Sequence, residues 1–276
     1  MKNVSDLPPL RDVISRYQLA AKKSLGQNFL LDLNLTAKIA NAAGSLDGLT
    51  VVEVGPGPGG LTRALLGTNA KAIVAIERDH RFAEALADVV EVSQNRLSVI
   101  EGDALETDIP AIAPMPRAII ANLPYNIATP LLVSWIKQID AYEHITIMLQ
   151  KEVALRVTAT PGSADYGRLS VLCQWQSHAD ILFDVPPSAF VPPPKVTSSI
   201  VHLTPRKNRR LDVSFDALEN VTRAAFGQRR KMLRKSLQQL LPDPVPLLEK
   251  CGIDPTLRAE NVTVEGFLKL ACALRQ

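Results

Sequence analysis

Two short segments hold the residue types from which chemistry can be built. Residues 53–60, Glu-Val-Gly-Pro-Gly-Pro-Gly-Gly, end an apolar run (Val51, Val52, Val54) and open a glycine-rich loop. Asn122-Leu123-Pro124-Tyr125 closes a second apolar run, Ala118 to Ala121, with an amide, a rigid proline and an aromatic ring. The first segment suits close backbone approach to a nucleoside-bearing cofactor. The second suits a clamp on a planar amino group. Together they are what methyl transfer to a nucleobase amine needs.

Gly55, Gly57 and Gly60 satisfy the G-x-G-x-x-G spacing, and Glu77 stands at the end of the next strand-like run. On those grounds alone the loop admits NAD, or no ligand at all if it is a tight strand–helix turn. Pro56 and Pro58 remove amide donors that a pyrophosphate would require. S-adenosylmethionine has no phosphate, so it tolerates that loss. The Glu77 carboxylate can accept bonds from both ribose hydroxyls, and Asp103, followed by Ala104, can accept one from an adenine amino group.

An adenine amino group is a weak nucleophile because its lone pair is delocalised into the ring. The Asn122 side-chain oxygen and the carbonyl of Leu123 or of Pro124 can accept its two hydrogens, favouring a more pyramidal nitrogen. Tyr125 and Phe190 are candidates to stack on the base, each contact worth about 1–3 kcal/mol. A base reaches such a pocket only by leaving its stack, which favours loop or single-stranded nucleic acid. Positioning is the main requirement, so neither a Ser/His/Asp set nor a metal is called for. The four histidines (His80, His144, His178, His202) are scattered and read as structural or exposed.

These groups have to be placed by the elements around them. Strand-length apolar runs occur at 50–54, 71–76, 96–100, 117–121 and 144–149, with helical periodicity between them. Such alternation predicts an α/β fold with a doubly wound, mostly parallel sheet, whose ligand lies beyond the carboxyl ends of the strands. Residues 178–185 and 195–204 predict a closing hairpin-like pair of strands, joined by the proline-stiffened stretch Val185–Pro194. After Pro205 only helical patterns remain, at about 214–226, 229–241, 244–251 and 261–274, so a domain boundary is expected near residue 205. Residues 1–205 would form the cofactor domain, with 1–45 covering the cofactor, and 206–276 a small all-α domain.

A chain of 276 residues, 46% hydrophobic, can bury a full core. It has no apolar stretch approaching the roughly 20 residues of a membrane span, and its polar first residues, punctuated by Pro8 and Pro9, do not read as a secretory signal. Its three cysteines have no paired spacing, which predicts reduced thiols and a cytoplasmic setting. The net charge of +3 is uneven. Residues 206–276 hold 14 Lys+Arg against 8 Asp+Glu, while residues 1–205 hold 17 against 20. A basic end on a mildly acidic body points to a polyanionic partner or to a merely solvated face. Arg229, Arg230, Lys231, Arg234 and Lys235 cluster there at helical spacing, with Met232, Leu233 and Leu237 expected on the buried side and Gly227 as a helix cap. Arg223 and, near the cofactor entrance, Lys22 and Lys23 are candidates for the same RNA-binding surface.

These segments resemble the ribosomal RNA adenine dimethyltransferases of the KsgA type over essentially the whole length. The matching stretches are 22–30 (Lys-Lys-Ser-Leu-Gly-Gln-Asn-Phe-Leu), the glycine loop, Glu77, Asp103, Asn122–Tyr125, 190–196 (Phe-Val-Pro-Pro-Pro-Lys-Val) and the basic stretch 225–233. The resemblance implies a class I methyltransferase fold and transfer of two methyl groups to each of two adjacent adenines in a 3′-terminal hairpin loop of small-subunit ribosomal RNA. It further implies that Gln27, Asn28 and Leu30 cover the donor, that Gly55 contacts its methionine part, Glu77 its ribose and Asp103 its adenine. Asn122 would touch donor and target, and Phe190 would face Tyr125 across the base. A monomer acting on a small-subunit precursor is expected. Other readings are a large-subunit adenine methyltransferase of the resistance type, a non-catalytic assembly or transcription factor, and a small-molecule methyltransferase.

Overall fold

A continuous apolar run has no solvated face and belongs in a sheet covered on both sides. In the computed structural model every residue of Thr50–Val54 is indeed buried. The structure describes residues 3–19, 21, 27–207 and 213–274. Among them run nine strands: β1 (Phe29–Leu30), β2 (Thr50–Val54), β3 (Ala72–Glu77), β4 (Leu97–Glu101), β5 (Arg117–Asn122), β6 (Ile145–Gln150), β7 (Ser177–Val185), β8 (Phe190–Val191) and β9 (Ser198–Pro205). The helices are α1 (Leu10–Arg16), α2 (Leu33–Ala42), α3 (Gly60–Leu66), α4 (His80–Ala85), α5 (Ala87–Val92), α6 (Ile109–Ile112), α7 (Tyr125–Lys137), α8 (Lys151–Thr158) and α9 (Arg168–Gln176), followed by α10 (Phe215–Gly227), α11 (Leu233–Ser236), α12 (Val245–Lys250) and α13 (Val264–Ala273).

Seven strands form one sheet in the order β4-β3-β2-β5-β6-β9-β7. Neighbours from β4 through β6 are parallel, and β9 runs antiparallel to β6. The five expected parallel strands lie within a residue of their expected positions, because each is an apolar run bounded by turn-forming residues. The chain leaves β2 toward β3 on one side and later returns to β5 on the other, so the topological switch point lies between β2 and β5. A crevice opens there beyond the strand ends. Helix starts have local causes as well: Asp32 caps α2 by accepting from the Asn34 and Leu35 N–H groups, and Asp79 caps α4 by accepting from Arg81.

Within the expected loop Val185–Pro194 lies β8, which pairs antiparallel with β1, Phe29 opposite Val191 and Leu30 opposite Phe190. Neither strand is long enough to leave a periodic signal.

The chain divides into two compact units. One comprises Met1–Ser134, Asp140–Lys151 and Asp180–Thr204; the other comprises Trp135–Ile139, Glu152–Ala179 and Pro205–Gln276. A boundary falls at residue 205, and 152–179 also join the second unit, where a single cut would place them in the first. The reason is packing: α9 lies against α10 and α13, and the rings of Trp175 and Phe215 approach to 6.2 Å.

The basic segment departs from expectation. The helix expected over 229–241 begins only at Leu233, as α11 and a 3-10 turn over Leu237–Gln239. Met232 forms a bridge with Arg258, the Leu233 N–H donates to the Leu257 carbonyl at 2.7 Å and the Arg234 N–H to Pro255 at 3.1 Å. Those amides are thereby diverted from a helical ladder, and Arg230–Arg234 and Lys231–Lys235 are not helical i,i+4 pairs. Gly227 is the last residue of α10, with Gln228 as its cap. Leu233 and Leu237 are buried as expected, but Met232 is 41% exposed. No disulfide joins the three cysteines, of which Cys173 is buried and the other two half-buried.

Candidate active site

The loop after β2 turns through positive φ at Gly55 (68°) and Gly57 (53°), a conformation that L side chains rarely adopt. A Cβ on Gly55 would lie 3.4 Å from the Pro124 ring, so the loops after β2 and β5 are in near contact. Gly60 has another constraint: its Cβ would come within 2.8 Å of the Leu30 carbonyl oxygen. The glycine loop is therefore closed over by β1.

Glu77 fixes the other flank. Its Oε2 accepts the Gly57 N–H at 3.2 Å and its Oε1 the Asp79 N–H at 2.9 Å. Burial raises its pKa, and backbone N–H groups of Asp79, Gly57 and Arg78 oppose the rise. One carboxylate thus holds the loop in shape and faces the crevice.

These pieces line one solvent-open cleft. Of the residues singled out from the sequence, Gln27, Asn28, Leu30, Gly55, Gly57, Glu77, Asn122, Leu123, Pro124, Tyr125 and Phe190 line it together. Asp103 and Ala104 are not among its lining residues. The Asp103 carboxylate sits 3.0 Å from the Arg78 guanidinium and accepts the Leu105 N–H at 2.9 Å.

Asn122 ends β5, and Leu123-Pro124 lead directly into α7. The Pro124 carbonyl already accepts the Ile127 N–H at 3.2 Å. Of the two carbonyls open in the sequence reading, this favours Leu123 as the second acceptor of the clamp. The Tyr125 hydroxyl lies 2.6 Å from Ser198 Oγ, and burial raises the phenol, keeping it neutral. Phe190 is buried in the cleft wall on β8.

Glu53 was missed as a site residue. It lies on β2, is 1% exposed and lines the cleft, with Oε2 lacking any hydrogen-bond partner among the described residues. Burial pushes its carboxyl up to about 8; the neighbouring Thr62 hydroxyl offsets part of this and Glu77 adds to it. The available signal was a lone acid inside an otherwise apolar strand, next to the glycines.

The glycine cradle, the Glu77 carboxylate and the lack of donors at Pro56 and Pro58 fit a phosphate-free nucleoside derivative better than a pyrophosphate. None of the histidines lines the cleft. His144 is buried, its pKa pushed down to about 4 by desolvation and by His202. His202 pairs with Thr146, His80 with Glu101, and His178 is exposed. No cluster of metal-ligating side chains occurs among the described residues.

Of the candidate RNA-binding residues, Lys22 and Lys23 lie outside the described residues. Arg229 binds Glu260 at 2.8 Å and the carbonyls of Ala164 and Tyr166, which ties it into its own unit. Arg223 bonds the Asn220 side chain. Arg230, Lys231, Arg234 and Lys235 are exposed around the turn that precedes α11 and on α11 itself.

Residues 18–276 match the family model described as ribosomal RNA adenine dimethylase. The chain is 57% identical over 280 residues to a ribosomal RNA small subunit methyltransferase A of Xanthobacter autotrophicus, covering 100% of this chain and 97% of that one. Among solved structures it resembles a dimethyladenosine transferase from Plasmodium falciparum (29% identity, TM-score 0.75, covering 87% of this chain and 94% of that one). It also resembles the 23S rRNA methyltransferase ErmE (29%, TM-score 0.68, covering 90% and 100%). With the class I methyltransferase sheet and the strand-end cleft already in place, the match fixes the family: this chain belongs to the ribosomal RNA adenine dimethylases.

Proposed function

We propose that this enzyme transfers methyl groups from S-adenosylmethionine to the exocyclic amines of two adjacent adenines in the 3′-terminal hairpin loop of small-subunit ribosomal RNA, giving dimethyladenosines, during small-subunit biogenesis in the cytoplasm. The observation that carries this is a single cleft in which Gly55, Gly57 and Glu77 face Asn122–Tyr125 across the switch point.

The bound donor supplies a methyl group on a positively charged sulfur. The chain's own residues do the rest. Gln27, Asn28 and Leu30 cover the donor, Glu77 holds its ribose, and Asp103, at the end of β4, is proposed to reach its adenine. The Asn122 side-chain oxygen and the Leu123 carbonyl accept the two amine hydrogens of the target. Tyr125 and Phe190 hold the flipped base flat. The apolar part of the cleft wall, Phe29, Leu30, Leu61 and Phe190, would solvate a cationic donor poorly, which would favour a transfer that discharges it. The second unit docks on RNA through Arg230, Lys231, Arg234 and Lys235, with Lys22 and Lys23 contributing to the same binding, while Arg229 shapes the docking loop. The enzyme is proposed to act as a monomer.

The deciding experiment is incubation with labelled donor and unmethylated small subunits, followed by mapping of the modified nucleosides. Dimethyladenosine at two adjacent positions of small-subunit RNA is the expected result. Label in large-subunit RNA or in free adenosine instead would overturn the substrate assignment, and no transfer to any of these would leave a binding factor.

A further inference from the structure

Beyond the residues of the clamp, one half-buried contact holds its aromatic ring. We infer that Ser198 is a positioning residue for methyl transfer: its hydroxyl pins the outer end of the Tyr125 ring, so that the ring stands as a preset wall before the target base arrives. The inference rests on the proposed role of Tyr125 in stacking on that base.

Tyr125 is the first residue of α7, directly after the loop that carries Asn122. A tyrosine at such a place can swing about two side-chain torsions, and a swinging ring makes a poor stacking platform. Here its hydroxyl lies 2.6 Å from Ser198 Oγ. The anchor is rigid for reasons independent of Tyr125. Ser198 is fully buried and stands opposite Gln150 in the antiparallel register of β9 and β6. Its predecessor Thr197 accepts the Lys151 N–H at 2.9 Å. Its successor Ser199 donates to Asp184 Oδ1 at 2.6 Å, and Asp184 Oδ2 is 2.6 Å from Lys151 Nζ. Backbone and side-chain bonds thus hold both neighbours of Ser198. With the ring already immobilised, the ordering cost of stacking is met during folding and not during catalysis.

The test is a double-mutant cycle with Ser198→Ala and Tyr125→Phe, assayed on unmethylated small subunits. Tyr125→Phe keeps the ring and removes the same bond from the accessible side. Each single variant is expected to lower kcat/KM for the subunit about three- to tenfold, the worth of one hydrogen bond, with donor affinity within twofold of wild type. The double variant should be no worse than either single one, because the two changes delete one interaction. Ser198→Thr, which restores a hydroxyl, should recover part of the loss. Additive losses, or lowered melting temperatures with unchanged kcat/KM, would overturn the positioning role. Should Ser198→Ala fail to fold, Tyr125→Phe alone decides: wild-type kcat/KM refutes the inference, and a several-fold loss at unchanged donor affinity supports it. Failure of the wild-type enzyme to methylate RNA would overturn the proposed function itself, a result distinct from any of these.

Discussion

Leu30 and Phe190 are register partners in the β1–β8 ribbon, and both line the same cleft. The residue proposed to cover the donor and the aromatic proposed to face the target are therefore joined by backbone pairing, although 160 positions separate them in the sequence. This coupling gives the glycine loop a second task, since β1 rests directly on it.

Gly60→Ala tests that packing. The added Cβ would meet the Leu30 carbonyl at 2.8 Å and the Leu10 side chain at 3.1 Å. A backbone oxygen cannot swing aside like a flexible side chain, so the ribbon has to move. We expect a loss of about 1–3 kcal/mol in stability and at least tenfold weaker donor binding, measured by denaturant unfolding and calorimetry. Wild-type values for both would show that β1 does not seat on the loop.

Asn122→Ala and Phe190→Ala separate chemistry from stacking. Asn122→Ala removes an acceptor needed only when the amine reacts, so transfer should be abolished while donor affinity stays within a few-fold. Phe190→Ala removes a stacking face worth about 1–3 kcal/mol, or roughly 5- to 150-fold in kcat/KM. Phe190→Trp should retain much of the activity. Single-turnover incorporation of labelled methyl distinguishes the two behaviours.

The buried acid predicts a pH signature. Glu53 holds its proton up to about 8 in the folded chain against 4.5 ordinarily. A raised carboxyl contributes stability that is complete below the unfolded value and is lost as pH climbs through the folded one. Between those limits the wild type should lose about 1.4 kcal/mol per pH unit relative to Glu53→Gln, which cannot ionise. Unfolding curves of both proteins from pH 4 to 9, without donor, should show their difference growing across that window and flattening outside it. A constant difference would mean that Glu53 ionises normally.

Within the basic segment the structure separates two kinds of arginine. Neutralising Arg230, Lys231 and Lys235 should weaken subunit binding and flatten its salt dependence, each lost phosphate contact lowering the slope by about 0.7–0.9. Arg229→Ala should chiefly lower the melting temperature, because it leaves Glu260 and the carbonyls of Ala164 and Tyr166 without their donor. Filter binding across a salt series, paired with thermal unfolding, reads both effects.

Periodicity and punctuation were enough for the sheet strands, the switch-point crevice and its glycine, Glu77 and Asn122 lining, since apolar runs, glycines and strand-end polar residues are local features of the chain. Gln27, Asn28 and Leu30 were legible only through the family resemblance. The strand-end loops converge because parallel topology stacks them at one edge, so Gly55, Glu77 and Asn122 were legible together. What remained hidden depends on distant partners. The β1–β8 ribbon is too short to leave a pattern, the Tyr125–Ser198 bond links residues 73 positions apart, and Glu53 is buried only once β2 lies between β3 and β5. The basic stretch 229–232 has the composition of a helix, yet its neighbouring amides bond to residues 255–257. Similarly, α9 joins the second unit because it packs against α10 and α13, elements that lie far along the chain. Local sequence determines which backbone a segment can adopt and which face it buries; which neighbour takes its hydrogen bonds and covers that face is decided only when the chain closes on itself.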